Sequence, residues 1–189
     1  MADIRVVAFA GSLRHASYNR GLIRVAAESA PQGFSFDVIS LDDIELFNQD
    51  VEDAGEPPAI VAFKRAIGQA DAMLVATPEY NHGIPGVLKN ALDWASRPRV
   101  TSPLKDKPVA VVGASPGLGS TARAQAQLRE TFVFTGACVM PQPELLISSA
   151  ASHFDDEGNL TDPELRASVV ELVEALGRWS YRLGRREAA

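Results

Sequence analysis

The sequence predicts an α/β fold, a doubly wound parallel sheet with helices on both faces. Three apolar runs, at 4–10, 72–78 and 108–115, are nearly continuous in Val, Ala, Ile and Leu, which is typical of strands covered on both sides. Strand-like runs alternate with helix-length segments, as βα units do. With 189 residues, the chain has the length of one domain.

Five strands and five helices follow one another in this pattern. The last helix has the clearest start, because Thr161 or Asp162 can cap it and Pro163 suits its first turn. The predicted strands are 4–10, 34–40, 72–78, 108–115 and 137–147, and the predicted helices are about 19–30, 57–70, 85–96, 120–135 and 162–183.

One long connection is predicted, the acidic segment 42–58. Two interpretations of its apolar pair, Leu46 and Phe47, are open. The pair either forms a partial lid over a ligand site or packs beneath a solvated connector.

The composition excludes several classes of function. Hydrophobic residues make up 46% and charged residues 22% of the chain, which is ordinary for a globular domain. The net charge of −6 argues against a general nucleic-acid binder. Cys138 is the only cysteine, so an internal disulfide is impossible. The N-terminus lacks a signal-peptide pattern, and no apolar run approaches about 18 residues. We therefore expect a single cytoplasmic domain over 1–189, without membrane insertion.

The loops after strands one, three and four are expected to determine the function. In open α/β sheets, ligands bind beyond the carboxyl ends of the strands, near the point where the strand order reverses. The three loops read GSLRHASYNR, PEYNHGIPGVLKN and SPGLGST. Each is rich in residues that allow tight turns or donate hydrogen bonds.

The first loop has the composition of a phosphate site. It offers a sharp turn, side-chain donors and a planar cation before a helix N-terminus, where an anion is favoured. The chain lacks the P-loop motif, and the three spaced glycines of the dinucleotide fingerprint are missing. A flavodoxin-like loop around a terminal monophosphate fits better. The alternative is a helix capped by Ser17 or Asn19 with Arg14 solvated, and a solvated face equally explains Arg20 and Arg24.

The second loop suits a flat heteroaromatic ring. Pro78 and Glu79 end a buried strand, and Tyr80 and Asn81 follow. Backbone N–H groups of this turn can bond one edge of an isoalloxazine, and Gly83 allows close backbone approach. The alternatives are that Tyr80 packs over the sheet edge and that Glu79 is solvated or bridges to another subunit.

The third loop, 113–121, contains three glycines that let the backbone lie against a ligand. Ser115, Ser120 or Thr121 can donate hydrogen bonds to it. Ser120 is also predicted to be the N-cap of the next helix.

Together, two motifs resemble the NADPH-dependent FMN reductase family, which includes bacterial NAD(P)H:quinone and chromate reductases. They are GSLR-x-x-S-x-N near the N-terminus and PEYN-x-G-x-P-G-x-LKN-x-x-DW in mid-chain. The resemblance extends over about residues 4–180. It implies a flavodoxin-like three-layer sandwich with a five-stranded parallel sheet in the order 2-1-3-4-5.

The resemblance also implies a non-covalent FMN site formed by all three loops. No essential role is assigned to His82, and no metal is expected. The phosphate would be held by Ser12, Arg14, Ser17 and Asn19, the ring and ribityl chain would be lined by Pro78, Glu79, Tyr80, Asn81 and Gly83, and the third loop would close the site with Ser115, Pro116 and Gly117.

The activity implied is hydride transfer from NADPH or NADH through FMN to quinones, free flavin or other small oxidised acceptors. FMN carries this chemistry, so no catalytic side chain is expected. Homodimers or homotetramers formed through helices 85–96 and 120–135 are also implied. The alternatives are a flavodoxin-type electron carrier and a domain that keeps the fold without binding flavin. A 2′-phosphate of NADPH has four candidate partners, Arg97, Arg99, Lys105 and Arg123.

Overall fold

The central sheet has the predicted topology. The computed structural model describes residues 3–187, so four residues of the predicted domain 1–189 (1, 2, 188 and 189) lie outside the described part. The strands are β1 (Ile4–Ala10), β2 (Phe34–Val38), β3 (Ala72–Ala76), β4 (Pro108–Ala114), β5 (Cys138–Val139) and β6 (Leu145–Ile147). They pair in parallel in the order β2-β1-β3-β4-β5, and β6 also pairs with β4. This confirms the flavodoxin-like order 2-1-3-4-5.

Helices cover both faces of the sheet. They are α1 (Tyr18–Glu28), α2 (Gln49–Ala54), α3 (Pro58–Gln69), α4 (Gly86–Ala95), α5 (Ala122–Thr135) and α6 (Pro163–Glu187), with short 3₁₀ turns at Arg99–Thr101 and Ala150–Ser152. Because side chains alternate along a strand, Val6 and Ala8 of β1 face the core under α1 and α6, whereas Val7 and Phe9 face the core under α3, α4 and α5. None of the helices within residues 3–187 is long and apolar enough to cross a membrane.

The predicted fifth strand, 137–147, is divided into β5 and β6. Pro141 and Pro143 stand between the two parts, and proline has no N–H to donate to a ladder. Both parts remain parallel to β4, with Cys138 beside Pro108 and Leu145 beside Val112. The fold prediction therefore holds, but the strand is interrupted.

Two helices also differ from the prediction. The segment 42–58 contains α2, whose N-cap Asn48 accepts a hydrogen bond from the Asp50 N–H at 2.9 Å. The last helix begins at Pro163, one residue after the predicted start at 162, and the Asp162 carboxylate caps it by accepting bonds from the N–H groups of Glu164 and Leu165. This helix continues to residue 187, past the predicted end at 183.

Candidate functional site

The three loops converge at the carboxyl edge of the sheet because β1, β3 and β4 are neighbours. The Gly11 N–H donates to the Ala76 carbonyl at 2.8 Å, and the Thr77 N–H donates to the Val112 carbonyl at 2.9 Å. Gly113 allows a particularly close approach, since a β-carbon there would lie 2.4 Å from the Thr77 carbonyl oxygen. The reversal of strand order between β1 and β3 occurs at this edge, which is where such sheets bind ligands.

The first loop presents N–H donors that have no acceptor among the described residues. Ser12 and Ser17 are 3% and 2% exposed, and Ser17 caps α1 by accepting a bond from the Arg20 N–H at 3.4 Å. Among residues 3–187, the N–H groups of residues 13–16 have no hydrogen-bond acceptor. Arg14 is exposed, its guanidinium lies 5.2 Å from the centre of the Tyr18 ring, and it has no carboxylate partner in the described part of the chain. This donor set, before a helix N-terminus, fits a phosphate dianion.

Asn19 connects the first loop to β4. Its side-chain Nδ2 donates to the Ala114 carbonyl at 2.9 Å, and its Oδ1 accepts from the Ala114 N–H at 3.0 Å. Both bonds are buried, so the start of α1 is fixed against the strand that leads into the third loop. Direct contact of Asn19 with a phosphate stays a prediction.

Arg20 and Asp42 form a support for the first loop that the sequence interpretation missed. Arg20 Nε donates to the Ser12 carbonyl at 2.9 Å, and its Nη2 lies 2.8 and 2.9 Å from the two oxygens of Asp42. The hydroxyl of Ser40 also donates to Asp42, and this bond, together with Arg20, lowers the pKa of Asp42 despite partial desolvation. Arg20 is thus bonded to Ser12 and Asp42, so the interpretation of Arg20 as part of a solvated helix face is wrong.

The second loop is a tight turn with two residues in the left-handed region. The N–H groups of Tyr80 and Gly83 each donate to the other's carbonyl at 3.0 Å. Between them, Asn81 and His82 have φ values of 50° and 65°, the pattern of a type I′ turn. The side chains of Tyr80, Asn81 and His82 are exposed, and Tyr80 Oη lies 3.5 Å from Ser12 Oγ.

Glu79 attaches the second loop to α5. Its Oε2 accepts bonds from the N–H groups of Arg123 and Ala124 at 2.9 and 3.1 Å, and its Oε1 lies 3.3 Å from Arg123 Nη1. Burial disfavours the charged carboxylate, but the bonds from Ala124 and Arg123 outweigh it and lower the pKa of Glu79. Both alternatives for Glu79, a solvated carboxylate and a bridge to another subunit, are therefore wrong, because the carboxylate is bonded to α5 of the same chain.

The prediction that Ser120 caps α5 is wrong. Ser120 has a φ of 50°, and its buried hydroxyl has no hydrogen-bond partner among the described residues. Thr121 occupies the cap position without a side-chain cap bond, because its hydroxyl accepts from Gln125. The carboxylate of Glu79 supplies the cap instead, from a loop 44 residues away in sequence.

The third loop leaves its backbone open to solvent. Ser115 Oγ accepts a weak bond from the Gly117 N–H at 3.3 Å, and the backbone of Ser115 is held by Ile147 and Ala150. Pro116, Gly117 and Leu118 are exposed. The loop is therefore held by hydrogen bonds at its start, and the residues at its tip are exposed and accessible to a ligand.

The two members of the apolar pair in segment 42–58 differ in their surroundings. Phe47 packs edge-on against Trp94 at 4.9 Å, with the Arg97 guanidinium 4.9 Å from the centre of its ring. Its N–H donates to Asn90 Oδ1 at 2.7 Å. Leu46 is 81% exposed. Phe47 is thus packed as the second interpretation predicts, and a lid formed by Leu46 stays a prediction.

The fold and the loops define a flavodoxin-like protein whose edge site suits a phosphorylated ring compound. FMN fits this donor set, since the first loop supplies phosphate donors and the second and third loops supply exposed backbone and an aromatic side chain. The turn can lie close to α5 because Gly83 has no side chain. A β-carbon at this position would lie 2.8 Å from Gln127 Oε1.

Comparisons with known proteins identify the family. The family model for NADPH-dependent FMN reductase matches residues 4–152. An NAD(P)H-dependent FMN reductase of Pseudomonas aeruginosa is 45% identical over 181 residues, covering 96% of this chain and 97% of that protein. A 2-hydroxy-1,4-benzoquinone reductase of a Burkholderia species is 39% identical over 176 residues, covering 93% and 96%.

A solved structure agrees with these relatives. The flavoenzyme NAD(P)H:(acceptor) oxidoreductase FerB from Paracoccus denitrificans has a TM-score of 0.85 and 35% identity, covering 95% of this chain and 98% of that one. The chain belongs to the NADPH-dependent FMN reductase family. The resemblance drawn from the two sequence motifs is confirmed.

Proposed function

We propose that this protein is an FMN-dependent NAD(P)H oxidoreductase that passes hydride to quinones, free flavin or other small oxidised acceptors. The observation that carries the proposal is the first loop. Its buried hydroxyls, exposed Arg14 and four N–H groups with no acceptor among the described residues lie together at the β1/β3 edge, beside the turn that holds Tyr80. The names of the relatives support the redox activity, and the Burkholderia relative supports a quinone as acceptor.

The residues of the site would divide into those that bind and those that hold the loops in place. When bound, FMN accepts and returns hydride; the protein orients it and shapes its surroundings. Ser12, Arg14 and Ser17 would bind the phosphate, while Asn19 and Glu79 fix the positions of α1 and α5 through their observed bonds. The ring side would be formed by Pro78, Tyr80, Asn81 and Gly83, and the covering loop by Ser115, Pro116 and Gly117.

We also propose a homodimer or homotetramer that works in the cytoplasm. The exposed side of α5 ends in Val133 and Phe134, and both are largely exposed in the single chain. Apolar side chains of this size favour burial against another protein surface. Sedimentation of the wild type and of a Phe134→Glu variant tests this, since a charge in the contact would shift the variant to a smaller species.

An anaerobic absorption spectrum tests the proposed activity. The purified protein is loaded with FMN, and NADPH or NADH is added, followed by a quinone. We expect the bound-flavin bands to bleach with the nucleotide and to return with the quinone. Bound flavin that neither nucleotide bleaches would instead indicate an electron carrier, and a protein that binds no FMN would contradict the interpretation of all three loops.

A further inference from the structure

The structure shows which of the four candidate cations, Arg97, Arg99, Lys105 and Arg123, lies near the candidate site and could bind a phosphate of the nucleotide donor. Arg97 is engaged, since its Nε lies 2.6 Å from Glu52, a second bond joins it to Gln49, and its guanidinium covers Phe47. Lys105 lies beside a cavity of about 550 Å³ that also contains Pro108, the first residue of β4, at the amino edge of the sheet. Arg97 is therefore occupied by these partners, and Lys105 lies at the opposite edge of the sheet from the candidate site.

Arg99 lies near the C-terminal end of α5, away from the candidate site. Its guanidinium is 4.9 Å from the centre of the Phe134 ring, near the C-terminus of this helix. Residues 123 and 134 are eleven positions apart, which corresponds to about 16 Å along a helix. The N-terminus of α5 adjoins the second and third loops, so Arg123 is the cation beside the site and Arg99 is remote from it.

Arg123 is exposed beside the site and uses one of its guanidinium nitrogens, Nη1, in an ion pair with Glu79. Its side chain is 58% exposed and touches both loops: Nη1 lies 3.3 Å from Glu79 Oε1, and a β-carbon at Gly119 would lie 3.7 Å from it. Within residues 3–187, the Nε and Nη2 atoms have no hydrogen-bond partner. Glu79 shares its carboxylate between Arg123 and two backbone N–H groups. The ion pair therefore leaves the other two guanidinium nitrogens of Arg123 available to a phosphate.

We propose that Arg123 binds a phosphate group of the NADPH donor, either the 2′-phosphate or the pyrophosphate. This inference rests on the proposed function, since it assumes that a pyridine nucleotide enters beside the second and third loops. The two free guanidinium nitrogens match two phosphate oxygens. The first loop is expected to hold the FMN phosphate with Arg14, so the two arginines would serve two different ligands at opposite ends of the site.

The test compares Arg123→Gln with Arg99→Gln, which removes the same charge from the far end of α5. The FMN-loaded proteins are assayed with NADPH, NADH and 1-benzyl-1,4-dihydronicotinamide, a hydride donor without phosphate. Dissociation constants for NADP⁺ and NAD⁺ are measured by calorimetry. For Arg123→Gln we expect kcat/KM with NADPH to fall and the NADP⁺ dissociation constant to rise, each about ten-fold. The benzyl donor and Arg99→Gln should show no change.

Comparing the losses with NADPH and NADH shows which phosphate group of the nucleotide Arg123 binds. A loss confined to NADPH and NADP⁺ assigns the 2′-phosphate, and an equal loss with NADH and NAD⁺ assigns the pyrophosphate. Arg123→Lys, which keeps the charge, should recover part of the loss in either case. An unchanged Arg123→Gln overturns the proposal, as does an equal loss with the benzyl donor, because that would reflect displaced loops. If the wild type oxidises none of the donors, the proposed function fails, while the NADP⁺ titrations still decide whether Arg123 binds phosphate.

Discussion

The first and second loops use their polar groups in opposite ways. In the first loop, the N–H groups of residues 13–16 and the guanidinium of Arg14 have no hydrogen-bond or ion-pair partner within the described chain. In the second loop, the carboxylate of Glu79 and the N–H groups of Tyr80 and Gly83 are bonded within the protein, and the Ile84 N–H donates to Gln127 on α5. Groups left free can contribute affinity for a ligand, whereas groups already bonded hold the backbone in position. We therefore expect changes in the first loop to affect binding and changes in the second to affect stability.

The largest effect is expected for Arg14→Gln. A charge-assisted hydrogen bond to phosphate would be lost, which weakens FMN binding by about 2 kcal/mol, or roughly thirty-fold. The melting temperature of the FMN-free protein should change little, since Arg14 contacts only the Tyr18 ring. Fluorescence titration with FMN measures the affinity, and Arg24→Gln on the following helix is the matched control. Equal losses in the two variants would show that general charge, and not the first loop, attracts FMN.

A smaller effect, on stability, is expected for Glu79→Gln. The variant loses the charged cap of α5, at a cost of about 1–2 kcal/mol, which corresponds to a drop of roughly 2–8 °C in melting temperature. FMN affinity should change less than in Arg14→Gln. Thermal unfolding of the FMN-free proteins measures the difference.

The same variant has a defined pH dependence. Because folding lowers the pKa of Glu79, the unfolded chain takes up the proton first as the pH falls. The stability advantage of the wild type is therefore complete at neutral pH and shrinks as the pH falls below the ordinary Glu value of 4.5. A difference between the two proteins that stays constant down to pH 3 would contradict the role of the ionised cap.

The smallest effect is expected at His82, where the backbone carries strain. A glycine has no penalty at a φ of 65°, and Asn-Gly is the preferred pair in a type I′ turn. The left-handed backbone costs a side-chain-bearing residue about 1–2 kcal/mol, and the greater backbone entropy lost by glycine offsets part of this gain, so His82→Gly should raise the stability by about 0.5–1 kcal/mol with unchanged turnover. His82→Ala is the control, since it removes the imidazole and keeps the strain. A fall in turnover shared by both variants would instead give the imidazole a part in the reaction.

Local patterns made much of the fold and the first loop predictable. Apolar runs such as 72–78 and 108–115 identify buried strands, and Ser17 is a recognisable cap because capping depends on residues close in sequence. The interruption of the fifth strand could also have been inferred from Pro141 and Pro143.

The supports of the site were not predictable because they join distant parts of the chain. Glu79 caps a helix that begins 43 residues later, and Arg20 pairs with Asp42 beyond a whole strand. Ser120 has the residue type of a cap, but its φ is positive, its hydroxyl has no partner among the described residues, and the Glu79 carboxylate accepts the bonds at the start of α5 instead. Such contacts follow from the folded arrangement, and no local spacing signals them.

The two bonds between Asn19 and Ala114 also restrict which residues evolution can use at position 19. One bond requires a donor and the other an acceptor, at a fixed reach from the helix. Aspartate would place a second acceptor against the Ala114 carbonyl, serine is too short for both bonds, and glutamine is one methylene too long. In natural variants of this protein, position 19 should thus tolerate fewer replacements than position 14, where the exposed side chain has no hydrogen bond to the described residues and lysine would keep the charge.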